Sequence, residues 1–283
     1  MIHTILVRPY VFVFLIVFLI LSIRSRGFKP TLIFLVSGYL IAWASEASSI
    51  RTGFPYGWYF YIYENLKGEL LNWGVPVWDS LSYVFLCFAG MSLAEYVYLP
   101  SPSPPPTPAQ RGPFGARGGE KTGIFPPPLW GRVRVGGNLA LLSAFFIMIL
   151  DIIIDPLAHL GDQWFLGKIY YYPHPGFYFN VPLSNFAGWF AVSFVIVFVN
   201  VIASPPRGGE AISPGLLRRP CRPPRNDILG PLLYFGIFLF NWGITLWLKE
   251  WWLALADLFW ISIPVFLLIR AKSKNNLLKT ETI

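Results

Sequence analysis

The sequence predicts an all-α fold, a polytopic transmembrane helical bundle of about seven spans, and two observations carry that expectation. Of its 283 residues 55% are hydrophobic and only 13% are charged. The apolar residues also fall in repeated runs too long for a soluble core, and a helix crosses the hydrocarbon with about 20 of them. An open sheet would leave backbone groups unpaired in lipid, so the runs are helices.

The first run, Ile5 to Ile23, carries Arg8 and Pro9 early and ends in Arg24, Arg26 and Lys29. Basic residues after an apolar run stop transfer, and no small-residue cleavage site follows, so this run is expected to stay as a span. The second run, Thr31 to Ile50, carries Glu46 and leads into an aromatic loop, Arg51 to Tyr63. The third, Val75 to Leu99, holds Asp79 near its start and Glu95 near its end. Residues 100–137 are rich in proline and glycine and read as a low-complexity cytoplasmic loop. The fourth run, Asn138 to Asp155, is expected to end where Pro156 disfavours helix in the residue before it. A second aromatic loop leads to the fifth run, Leu183 to Ala203, and residues 204–227 form a Pro/Arg-rich loop. Ile228 to Leu248 is the sixth run, Lys249 and Glu250 turn the chain, and Trp251 to Ile269 is the seventh. All of it, 1–283, reads as a single membrane domain.

The formal net charge of +8 follows this layout. Alternating loops put Arg8, Arg51, Lys67, Lys168 and Lys249 on one side and every other Lys and Arg on the other. The positive-inside rule then sets the amino terminus outside and the carboxyl terminus in the cytoplasm, in a prokaryotic inner membrane. The basic balance therefore calls for no nucleic-acid partner. Cys87 in an apolar run and Cys221 in a polar loop do not suggest a disulfide framework.

In this topology Glu46, Asp79, Asp151, Asp155, Asn185, Asn241 and Asp257 fall at similar depth toward the outer side, as a site in the outer half of the membrane requires. Asp151 and Asp155 are four apart and share one helix face. An acid that keeps its proton in low dielectric beside a second acid can serve as a general acid. The structural alternative has Asp155 wetted at a helix end and Asp151 paired inside the bundle, but intramembrane acids are functional by default. Glu46 and Asp79 read as further acids or as partners that hold the pair.

Tyr56, Trp58, Tyr59, Tyr61 and Tyr63 crowd the first aromatic loop, and Trp164, Tyr170 to Tyr172, Phe177, Tyr178 and Phe179 the second. Interfacial belts account for part of this; a lining of π faces that stabilises a cation accounts for the rest. His159 and His174 have no familiar metal-ligand spacing, so no metal is expected. GxGxxG, P-loop, GxSxG and HExxH patterns are absent from the sequence, which points away from nucleotide and serine-hydrolase chemistry.

The motif GFPYGWYFY, the DxxxDP at Asp151, Asp155 and Pro156, and the segment GFYFNVPLSNFAGW ending at Trp189 together resemble membrane carotenoid biosynthesis proteins of the carotenoid 1,2-hydratase type, which include γ-carotene 1′-hydratase and bisanhydrobacterioruberin hydratase. The resemblance covers most of residues 31–203; the two low-complexity loops depart from it and the last two spans carry no matching motif. It implies cofactor-free addition of water to the terminal C=C of an acyclic carotenoid end, with lycopene, γ-carotene or a related ψ-end carotenoid as substrate and other carotenoid enzymes as conceivable partners. Asp155 or Asp151 would be the proton donor and the other its partner or base. Glu46, Asp79 and Asn185 would orient water or the acids, and Tyr56, Trp58, Tyr59, Tyr61, Tyr178 and Trp189 would line the end-group pocket. The competing readings are a proton-coupled transporter of a lipid-like molecule, whose acids relay protons, and a non-hydratase carotenoid-modifying or scaffold protein.

Overall fold

The chain is seen in a computed structural model that describes residues 2–98, 129–203 and 229–280, with side chains described for 3–98, 136–202 and 229–273. The α-helices are α1 (Ile2–Val7), α2 (Pro9–Arg26), α3 (Phe28–Thr52), α4 (Val77–Tyr98), α5 (Leu129–His159), α6 (Leu183–Ala203), α7 (Leu229–Trp247) and α8 (Trp251–Thr280). Among the described residues seven helices, α2 to α8, contain a stretch long and apolar enough to cross a membrane. The fold is an all-α polytopic bundle.

Local chemistry sets the helix ends. Pro9 opens α2, where its missing N–H leaves nothing unpaired. Gly53 closes α3 in the left-handed region, at φ 75°, and donates its N–H to the Ser49 carbonyl at 2.9 Å. Lys249, at φ 63°, makes the tight turn between α7 and α8.

Three boundaries differ from the sequence expectation. Helix α5 begins at Leu129, inside the loop expected over 100–137. Gly136, inside that stretch, is a packing residue: a Cβ there would sit 3.2 Å from Val201 of α6. The rest of that expected loop, together with residues 204–227, lies outside the described residues. Helix α5 also continues past Asp155 to His159, because Pro156 removes a single N–H bond in the last turn and the three residues after it keep helical geometry. Helix α8 extends beyond Ile269 to Thr280, since its polar tail keeps good helix formers after the apolar run ends.

Helices α4 and α5 form the centre, and α5 packs most extensively on α6 and on α4. Helices α2 and α8 are peripheral, with small shares of their spans buried. Where α2, α3 and α4 meet, Phe88 packs edge to face with Phe18 and Phe34 at centroid distances of 5.1 and 6.4 Å.

The aromatic loops lie at one end of the bundle and are zipped together. β1 (Phe60–Tyr61) pairs antiparallel with β4 (Tyr170–Tyr171), placing Phe60 opposite Tyr171 and Tyr61 opposite Tyr170. β2 (Leu71–Asn72) and β3 (Val75–Pro76) make a hairpin across Trp73 and Gly74, both at positive φ as a two-residue primed turn requires. At the same end Arg8 and Glu69 form an ion pair at 2.7 Å with both side chains 1% exposed. The Arg8 guanidinium also donates to the Leu166 carbonyl and lies 4.8 Å over the Trp78 ring. At the opposite end Arg26 pairs with Glu95 at 2.9 Å, so Glu95, the acid that stood apart from the others in sequence, has a structural partner.

Candidate active site

Two glycines let the first aromatic loop dock on the start of α6. A Cβ at Gly188 would lie 2.6 Å from the Tyr56 ring and 2.8 Å from the Pro55 carbonyl. Gly57, at φ 91°, faces Ser184, whose Oγ would be 2.4 Å from a Cβ there. The GFPYG motif and the SNFAGW segment are thus two halves of one contact, and this contact carries Tyr56 and Trp189 into the bundle. Trp189 stacks on Tyr83 of α4 with centroids 3.9 Å apart and planes 5° from parallel.

The acids stand in two groups. On α5, Asp151 and Asp155 share one donor: Asn185 Nδ2 lies 2.9 Å from Asp151 Oδ2 and 3.1 Å from Asp155 Oδ2. Asp155 also accepts from Tyr172 at 2.7 Å and from Tyr170. Across from this pair, the Tyr61 hydroxyl donates to Asp79 Oδ2 at 2.7 Å and is 3.5 Å from Glu46 Oε2, which Ser80 also reaches at 3.1 Å. Asp151, Asp155, Asn185 and Glu46 are all buried.

Two cavities meet at these groups. The larger, about 130 Å³, is mainly apolar; its lining includes Tyr10, Phe14, Phe85, Ile154, Ile237 and Phe240, with Asp79, Asp151 and Asp155 at its polar end. The smaller, about 60 Å³, is lined by Glu46, Asp79, Asp155, Asn185 and a set of aromatics, Tyr56, Tyr59, Tyr83, Tyr170, Tyr172 and Trp189. Asp79, Asp155, Tyr170 and Trp189 line both. An apolar chamber and a polar one therefore share a wall that carries two carboxyls.

Tyr59 is the hub of the aromatic wall, edge to face with Tyr61, Tyr170 and Tyr172 at centroid distances of 5.5, 6.0 and 6.4 Å. Burial pushes the phenols of Tyr59, Tyr61, Tyr170 and Tyr172 well above the ordinary tyrosine range, and the neighbouring carboxyls push the same way. They remain neutral hydrogen-bond donors at any physiological pH. Among the described residues no group of three or more His, Cys, Asp or Glu is placed to hold a metal ion.

The chain matches the carotenoid biosynthesis protein family over residues 6–113 and 128–264. It belongs to that family. No curated protein and no solved structure matches the chain. The family implies a carotenoid substrate. The match extends beyond the stretch that resembled the family by motif, taking in α2, α7 and the first half of α8, and it covers the Pro/Arg-rich loop at 204–227 as well.

In this carotenoid biosynthesis protein the residues singled out from sequence divide cleanly. Glu46, Asp79, Asp151, Asp155, Tyr56, Tyr59, Asn185 and Trp189 line one or both cavities, and Tyr61 bonds to Asp79 behind the wall. Trp58 and Tyr178 line neither. Trp58 is 44% exposed and stacks on Phe60 at the loop surface. Tyr178 packs on Phe179 and Phe186, and burial pushes its phenol up to about 12. Asn241 lines the apolar cavity, whereas Asp257 is fully buried beside Thr245 and lines neither.

Sequence reasoning placed Tyr170 and Tyr172 among the loop aromatics but missed that they donate to Asp155, and it missed the roles of Ser80, Tyr83 and Arg8. The first two carried a signal: residues two apart on an extended strand face one way, and Tyr171 between them is 43% exposed. Arg8 looked like a flaw in the first span; it is the joint between α1 and α2, held by Glu69.

Proposed function

We propose that this carotenoid biosynthesis protein adds water, without a cofactor, to the terminal C=C of an acyclic carotenoid end and yields a tertiary alcohol. The supporting observation is the shared wall: Asp155 and Asp79 border both an apolar chamber suited to an isoprenoid end and a polar chamber suited to water.

In this reading Asp151, which lines only the apolar chamber, gives its proton to the less substituted carbon of the terminal alkene. The π electrons form the new C–H bond and leave a tertiary cation at the neighbouring carbon. The faces of Tyr59, Tyr170 and Trp189 and the charge of Asp155 stabilise that cation; a ring face contributes about 0.5–2 kcal/mol. Water from the polar chamber attacks, and its proton passes to Asp155. Three donors converge on Asp155, from Tyr170, Tyr172 and Asn185, the surroundings of a carboxyl that accepts a proton from water. A proton then passes from Asp155 back to Asp151 and restores both groups, so the proton the alkene gains is replaced by one from water and no external proton source is consumed. Glu46 and Asp79, tied through Tyr61, with Ser80 also donating to Glu46, hold the water from the other side.

The protein acts as a single membrane domain in a prokaryotic cytoplasmic membrane, with its amino terminus outside and the paired aromatic loops on the outer side. Expression in cells that accumulate lycopene tests the reaction: a product heavier by one water is expected, with its oxygen drawn from labelled water. Incorporation from labelled dioxygen, or an unchanged polyene in cells that hold the protein in their membrane, overturns it.

A further inference from the structure

The apolar cavity has one weak wall. Its side away from the central helix α4 is made by α2 and α7, and what closes it there is a cluster of rings. Phe240 of α7 stacks on Tyr10 of α2 at 5.6 Å and meets Phe14 edge on at 5.5 Å, while Phe165 from the outer loop touches Tyr10 at 5.6 Å. Phe165 is 55% exposed, so the cluster reaches the surface of the bundle. The two ends of α2 are fastened to other elements: Arg8, just before it, to Glu69 and Leu166, and Arg26 and Ser22 to Glu95 and Thr31. The helix is tethered at its ends, and its outer half is held to α7 by ring contacts. Ring contacts have no directional bond to break and re-form after a side-chain rotation.

We infer that the end of a long apolar chain reaches Asp79, Asp151 and Asp155 sideways, from the lipid, through the seam between α2 and α7, and that Phe240 sets the width of what passes. This rests on the reading of the cavity as a carotenoid end-group chamber and adds to it a route and a specificity-determining residue. The cavity of about 130 Å³ holds an end group, so the rest of the chain lies across the seam and in the bilayer. A narrow acyclic end threads past Phe240; an end closed into a substituted ring does not.

Retention of polyene by purified, immobilised protein tests this without turnover. Lycopene and β-carotene are offered in mixed micelles, and bound polyene is read by its absorbance against time. The wild type retains lycopene and excludes β-carotene. Phe240→Trp narrows the seam and slows lycopene association by about tenfold, within the range over which association rates vary among related variants. Leu239→Trp places the same indole one residue away, on a side chain 57% exposed, and leaves association unchanged. Lycopene association in Phe240→Trp as fast as in the wild type overturns the inference. If that variant does not reach the membrane, Phe240→Ala decides: faster lycopene association and new retention of β-carotene support the route, and wild-type behaviour on both counts overturns it. Retention controlled by Phe240 with no hydrated product in cells refutes the hydratase reading and leaves the route standing.

Discussion

Asn185 holds two acids with one amide, so its substitution tests the site differently from substitution of the acids. Asp151→Asn and Asp155→Asn each remove a proton-transfer group, and each is expected to lower hydrated product by about 10²–10⁴-fold, measured per unit of protein in the membrane. Asn185→Leu leaves both acids in place but strips Asp151 of its donor, and product is expected to fall while lycopene retention persists. The tyrosines make a prediction in pH. The folded phenols of Tyr59, Tyr61, Tyr170 and Tyr172 lie above their unfolded value, so the stability they contribute is complete below about pH 10 and is lost as pH rises beyond it. In alkaline titration their phenolate absorbance is expected only above the ordinary tyrosine range, and the melting temperature in detergent should show no tyrosine-linked fall between pH 7 and 9.

Among the elements, the first aromatic loop and α6 meet at Gly188 with no room for a side chain. Gly188→Val puts a branched side chain where a Cβ alone would be 2.6 Å from Tyr56. Overpacking of this kind costs about 1–3 kcal/mol, and a lower melting temperature with reduced product is the expected outcome; a variant as stable as the wild type would show that the loop does not sit against α6. The β1–β4 pairing works at the same scale. Two residues on each side suffice to turn Tyr61 and Tyr170 inward and Phe60 and Tyr171 outward, because side chains alternate across a strand. Such short pairing was not visible in either loop alone, since each strand needs the other to exist.

Across the whole molecule, Arg8 and Glu69 connect the start of α2 to the loop that roofs the site. Both side chains are almost fully buried, so removing one strands the other. Arg8→Met is expected to cost about 3–5 kcal/mol, while the double change Arg8→Met with Glu69→Leu recovers much of the loss. Chemical or thermal melting of the purified protein in detergent checks both, and a double variant no better than the single one would assign the loss to the contacts with Leu166 and Trp78 instead.

The sequence by itself determined the class of this protein and most of its spans, because a stretch of about 20 apolar residues has a single stable solution in lipid. It also singled out the acids, since carboxyls inside such stretches are costly enough to stand out. Tertiary structure alone decided which of them meet. Depth along a helix can be read from sequence, but rotation about its axis relative to the other helices cannot, and that rotation sends Asp79 and Asp155 to one shared wall while Asp257, at similar depth, packs elsewhere. The same holds for the aromatics: Tyr170 and Tyr172 face the acids and Trp58 and Tyr178 do not, a division set by strand pairing and loop docking between segments about 110 residues apart in the chain.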